Sequence, residues 1–121
     1  MADRKAVIAA LRRHTEQQVG ALALNLTANL IEATPVDTGF ARANWIPSLS
    51  EPELSGSGQG QAEGQAAVAA YKLEQGSVFV SNGAAYIQRL NQGHSKQAPA
   101  GYVEREIDRA LTEARAGMAS P

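Results

Sequence analysis

Apolar residues recur at helical spacing through the first quarter of the chain, at Val7, Ile8, Leu11, Val19, Leu22, Leu26 and Leu30, with His14 and Thr15 interrupting the stripe. This pattern predicts one long helix from Asp3 to about Ala33. Asp3 is placed to cap its first turn, and Thr34, standing before Pro35, is biased away from the α region, so the helix should stop there. About 30 residues at 1.5 Å rise make a rod of roughly 45 Å. That is longer than so short a chain needs for its own core, and part of the rod is expected to meet another subunit.

Beyond the helix, Val36 to Gly39 reads as a turn, and Phe40 to Leu49 as a strand with Ala43, Trp45 and Leu49 on one face and Arg42, Asn44 and Ser48 on the other. Pro47 cannot donate to a ladder, which places this strand at an edge or at a bend. Residues 51–65 are rich in Ser, Gly and Gln, carry no apolar stripe, and are expected to form a flexible loop. Ala66 to Leu73 suits a short helix or the approach to the next strand. Ser77 to Ser81 is a short strand-type run bounded by Gly76 and Asn82-Gly83. Asn82 is expected to cap a short helix through Leu90 that Gly93 terminates, and a turn follows from His94 to Gly101. Val103, Ile107, Ala110, Leu111, Ala114 and Met118 then form a second helical stripe from about Tyr102 to Gly117. The order predicts an α+β domain: a long N-terminal helix and C-terminal helices packed on a small antiparallel β-sheet.

The 121 residues fit a single domain, 1–121. Eleven basic against twelve acidic side chains leave a formal charge of -1, so no global field gathers nucleic acid. The absence of cysteine removes disulfides, thiolate nucleophiles and thiolate zinc sites. No uninterrupted apolar segment suggests a signal peptide or a membrane span.

Asp37-Thr38-Gly39 matches the triplet that carries the catalytic aspartate of dimeric aspartic proteases, where two carboxylates share a proton. In those enzymes the triplet ends an apolar strand of an all-β fold. Here it follows a helix and a Pro-Val pair, which favours a turn: Pro35 fixes φ, Asp37 accepts from nearby backbone N–H groups and Gly39 supplies permissive geometry. The glycine-rich run from Gly56 to Gly60 lacks the Lys-Ser/Thr of a phosphate-binding loop. His14 and His94 lie on different segments, with no carboxylate cage between them. No catalytic, cofactor-binding or metal-binding residue is therefore assigned. The basic groups Arg4, Lys5, Arg12, Arg13 and Arg105, Arg109, Arg115 are mixed with acids that include Glu16, and read as solvated or subunit-facing helix surface.

Three blocks of unusual residues carry a resemblance: Thr34 to Gly39 with Arg42-Ala43-Asn44-Trp45; Val80-Ser81-Asn82 with Ala85-Tyr86; and Leu90 to Val103. In their order and spacing the chain resembles the neck, or tail-completion, proteins of long-tailed bacteriophages, phage tail components related to minor tail protein Z. The resemblance implies a non-enzymatic structural protein at the head–tail junction of the virion, made in the host bacterial cytoplasm. It would form a homo-oligomeric ring, a hexamer, around the channel through which packaged DNA passes. Other head–tail connector and tail proteins would be its partners, and no membrane is involved. Tyr86, Leu90, His94, Ser95 and Lys96 become interface candidates, while Pro35, Asp37 and Gly39 shape the turn. A phage tail terminator, also a small ring-forming joint, is the alternative within this class, and the dimeric protease acting through Asp37 the alternative outside it.

Overall fold

The computed structural model describes residues 3–36, 39–93, 95 and 98–119, and shows an α+β architecture of helices around a two-stranded antiparallel sheet. Helix α1 spans Arg4–Ala33. The Asp3 carboxylate accepts from the Ala6 N–H at 2.8 Å, satisfying one of the orphan donors of the first turn. At the other end Thr34 takes an extended conformation, φ -82 and ψ 136, as a residue before proline should.

The face that α1 buries differs from the leucine stripe. Buried positions are Glu16, Gly20, Ala23, Thr27 and Leu30, a seam of mostly small side chains spaced four and three residues apart. Val7, Ile8 and Leu11 are exposed, at 47%, 54% and 62%. The reason is close packing. Helix α3, Gln61–Ala69, lies across this seam, and a methyl group built on Gly20 would stand 3.0 Å from the Val68 carbonyl oxygen. Thr27 keeps its buried hydroxyl satisfied by donating back to the Ala23 carbonyl at 2.7 Å.

Past the turn at Gly39, whose φ is +71, residues Phe40–Ala43 form a single helical turn, α2, so only the second half of the expected strand is β structure. Strand β1 is Trp45–Leu49 and pairs with β2, Val78–Asn82, in the register Trp45↔Asn82, Pro47↔Val80, Leu49↔Val78. In a sheet of two strands both are edges, which is where Pro47 is tolerated. Its carbonyl faces Gly64 of α3, where a methyl group would sit 2.2 Å from the oxygen. Helix α3 begins at Gln61, five residues before the expected Ala66, because the left-handed Gly60, φ +98, turns the chain directly into the helix. The preceding loop is fastened where the Gly58 N–H donates to Asn44 Oδ1 at 3.1 Å.

A short 3-10 turn, Leu73–Gln75, leads into β2, and Asn82 closes that strand rather than capping a helix. Its amide is engaged elsewhere: Oδ1 accepts from the Ala84 N–H at 2.9 Å and Nδ2 donates to the Ala41 carbonyl at 2.8 Å. Helix α4, Ile87–Asn91, therefore starts after Tyr86 with no side-chain cap. Helix α5, Tyr102–Ala119, runs antiparallel to α1: Tyr102 meets Thr34, while the segment from Ala110 to Gly117 lies beside Thr15 to Asn25.

Among the described residues five of the eleven buried apolar side chains are alanines. Methyl groups bury little area, so the core relies on Trp45, Ile46, Val68, Tyr71, Tyr102 and Leu30, and on close backbone approach. Gly64→Ala should cost about 1–3 kcal/mol by overpacking α3 against β1. Gly117→Ala, where nothing lies within 4 Å of the added methyl, should be neutral or stabilise by up to about 1 kcal/mol. Urea melts of the two variants check the contrast; equal stabilities would show that the Gly64 contact relaxes freely.

Candidate assembly surfaces

The surfaces of this protein are positioned by one buried hydroxyl. Thr34, 1% exposed, sits where α1, α2, β1 and α5 converge. Its Oγ1 donates to the Leu30 carbonyl at 2.6 Å, accepts from Trp45 Nε1 at 2.8 Å, and lies 3.3 Å from the Tyr102 hydroxyl. A hydroxyl has one hydrogen, and a carbonyl can only accept, so the Thr34 proton belongs to Leu30 and Tyr102 is the donor in the third contact. The Thr34 carbonyl accepts from Arg42 Nε at 2.7 Å, and the same guanidinium donates to the Glu32 carbonyl at 3.1 Å. Arg42 thus caps the C-terminus of α1, where cations are favoured. Burial pushes the Tyr102 phenol above its ordinary value of 10.0.

Helix α2 is stabilised by a second set of bonds. A single helical turn leaves its carbonyls orphaned, and three of them find side-chain amides: Phe40 from Asn44 Nδ2 at 3.0 Å, Ala41 from Asn82, and Arg42 from Gln61 Nε2 at 3.0 Å. Gln61 also donates to the Trp45 carbonyl at 2.9 Å. These amides hold the turn so that Val36 and Phe40 stand outward, 50% and 39% exposed. The Tyr86 ring packs beside Phe40, centroids 6.4 Å apart. Turn residue Gly39, whose N–H closes on the Val36 carbonyl at 3.2 Å, and interface candidate Tyr86 therefore share one apolar corner. Pro35 is buried at its base. Asp37 lies outside the described residues; the protease reading requires an apolar strand leading into it, and what leads into it is α1.

Leu90 is half-buried on α4, and Ser95 makes an isolated bridge with Ala98. Candidates His94 and Lys96 lie outside the described residues. The block around them is fastened by Asn91, whose Oδ1 accepts from the Val103 N–H and whose Nδ2 donates to the Glu104 carboxylate, each at 2.9 Å. That amide, with the backbone N–H of Glu104 itself, holds the exposed Glu104 carboxyl below its usual range. Asn91 thereby ties α4 to the N-terminus of α5.

Glu16 departs from the expected helix surface. It is 8% exposed and its carboxylate accepts from the Leu73 N–H at 2.8 Å, with the Lys72 ammonium at 4.0 Å, so it seats the 3-10 turn against α1. The ion pair of Arg109 with Glu113, expected from their spacing, is present at 3.2 Å, and Arg109 reaches Glu106 at the same distance. The Glu113 pair is an exposed surface contact of small worth, while the Glu106 carboxylate is mostly buried beside it. Among the described residues no three His, Asp or Glu side chains gather as a metal ion would need, and no helix is long and apolar enough to cross a membrane.

No family model, no curated protein and no solved structure matches this chain.

Thr34→Val keeps the shape of the node and removes its hydrogen bonds, leaving the Trp45 and Tyr102 donors unmatched at about 1–3 kcal/mol each. Chemical denaturation followed by Trp45 fluorescence should show that loss; unchanged stability would mean the node is dispensable. Because the Tyr102 value is raised in the folded chain, the unfolded chain ionises first on going alkaline. Its contribution is thus constant below about pH 10 and is lost as pH rises through the folded value. Melting temperature measured from neutral pH into the alkaline range should fall less steeply in Tyr102→Phe than in the natural chain.

Proposed function

We propose that this chain is a structural protein of a long-tailed bacteriophage virion, a neck or tail-completion protein that joins head to tail as a ring around the DNA channel. The observation that supports this most directly is spatial. The first and third of the blocks that carry the resemblance meet where Thr34 contacts Tyr102, and the second reaches Ala41, between the two parts of the first, through Asn82; Thr34 to Trp45 and Asn91 to Val103 brace the first and third blocks internally. The resembling residues are thus among those that hold the fold together.

Two further features suit a joint. The N-terminal part of α1 projects beyond the end of α5 with apolar side chains in solvent, and the corner at Val36, Phe40 and Tyr86 offers a second apolar face. A protomer with separate faces can make head-to-tail contacts with neighbours and still dock another component. A formal charge of -1 is compatible with DNA that passes through a channel without being gripped.

Electron microscopy of particles assembled without this protein tests the reading. Filled heads separate from tails of normal length are the expected result. Tails of ragged length would instead favour the tail-terminator role, and normal joined virions would overturn both.

A further inference from the structure

The overhang of α1 and the groove between α1 and α5 are complementary to each other. Near its start α1 carries Val7, Ile8 and Leu11 on one face, all about half exposed or more, with Leu11 four residues after Val7 and three after Ile8, the separations with which helices anchor in apolar grooves. Further along, α1 and the end of α5 enclose an open groove of about 500 Å³. Val19, Leu22, Ala110 and Ala114 line it, and among the described residues Glu113 is the only charged one in its wall.

Within one chain the two cannot meet, because the overhang continues the same rigid helix away from the groove. We infer that the α1 overhang of one copy docks, apolar face inward, into the α1–α5 groove of a second copy. Charge selects this pairing over the symmetric one. Arg4, Lys5, Arg12 and Arg13 against Asp3 give the overhang a charge of +3, with Arg12 lying 3.5 Å from the Glu74 carboxylate, whereas Glu104, Glu106, Asp108 and Glu113 against Arg105, Arg109 and Arg115 give α5 a charge of -1. Two overhangs packed antiparallel and crossing between Ile8 and Ala9 would set Arg4 opposite Arg13 and Lys5 opposite Arg12. Such like-charge juxtapositions disfavour a symmetric dimer. The groove lining instead offers, among the described residues, no basic side chain to repel a basic-flanked helix, and its acid, Glu113, is shared with Arg109. A contact between two different patches is heterologous and propagates until a ring closes. What the contact builds rests on the ring reading above; the contact itself rests on the helix faces alone.

The natural chain has no cysteine, so single cysteines report cleanly on contacts. One preparation carries Ile8→Cys and a second, with a different mass label, carries Ala114→Cys; they are mixed and treated with a short bis-maleimide. Mixed-label dimers should exceed the homodimers of the Ile8→Cys preparation alone by tenfold or more, and Leu11→Glu added to the Ile8→Cys chain should abolish them. Leu11 is 62% exposed, so circular dichroism should show that variant folded. Cross-linking of Ile8→Cys to itself as efficiently as in the mixture, no cross-linking up to the solubility limit, or survival of the product in Leu11→Glu would each overturn the contact. An overhang reserved for a different virion protein falls under the second outcome. The measurement uses purified protein, so its failure leaves the head–tail role to the micrographs, and joined virions lacking the protein would leave the contact standing.

Discussion

The hydroxyl of Thr34 is the point at which four elements become one body. It closes α1, accepts the indole of Trp45 and the phenol of Tyr102, and its own carbonyl receives Arg42. In a core so rich in alanine, the large aromatic side chains supply much of the buried apolar area, and each carries a polar atom that must be matched inside. One threonine matches Trp45 and Tyr102, and Tyr71 donates to the Gly76 carbonyl. The aromatic core and the hydrogen-bond network are therefore a single constraint, and α1 cannot shift along its axis without unmatching β1 and α5 together.

The same helix serves two purposes along its length. From Glu16 to Leu30 its inward seam is small, and α3 approaches closely enough to touch backbone at Gly20. From Arg4 to Leu11 its large side chains face solvent. Close packing within the protomer and apolar surface beyond it are thus separated along one rigid rod, and a change to either half leaves the other intact.

Much of this was legible in the residues. Asp3 and Thr34-Pro35 delimited α1, the Ser77–Ser81 run marked β2 to within a residue at each end, and the stripe from Val103 onward marked α5. The buried seam of α1 was not legible, because Gly20, Ala23 and Thr27 register weakly as apolar while the leucines that dominate the pattern lie to one side. Helix α2 was hidden for a different reason: its stability comes from amides at positions 44, 61 and 82, which no local pattern reveals. The early start of α3 was masked by glycines that look like loop composition, yet Gly64 is there for contact with Pro47. Glu16 looked like helix surface since its backbone partner, Leu73, lies 57 residues away. Of the interface candidates, Tyr86 stands at an apolar corner and Leu90 beside the Asn91 clamp.

The capping of α2 by three separate amides has a consequence for the order of events. Phe40 and Val36 face outward only while that one helical turn is held, and one of its clasps arrives from β2, forty-one residues further on. Loop closure over such a distance is slow beside the formation of one helical turn. The third clasp on α2 is therefore in place only in chains whose hairpin has closed. The rigidity of the apolar corner is written into the covalent order of the chain: its last clasp arrives with β2.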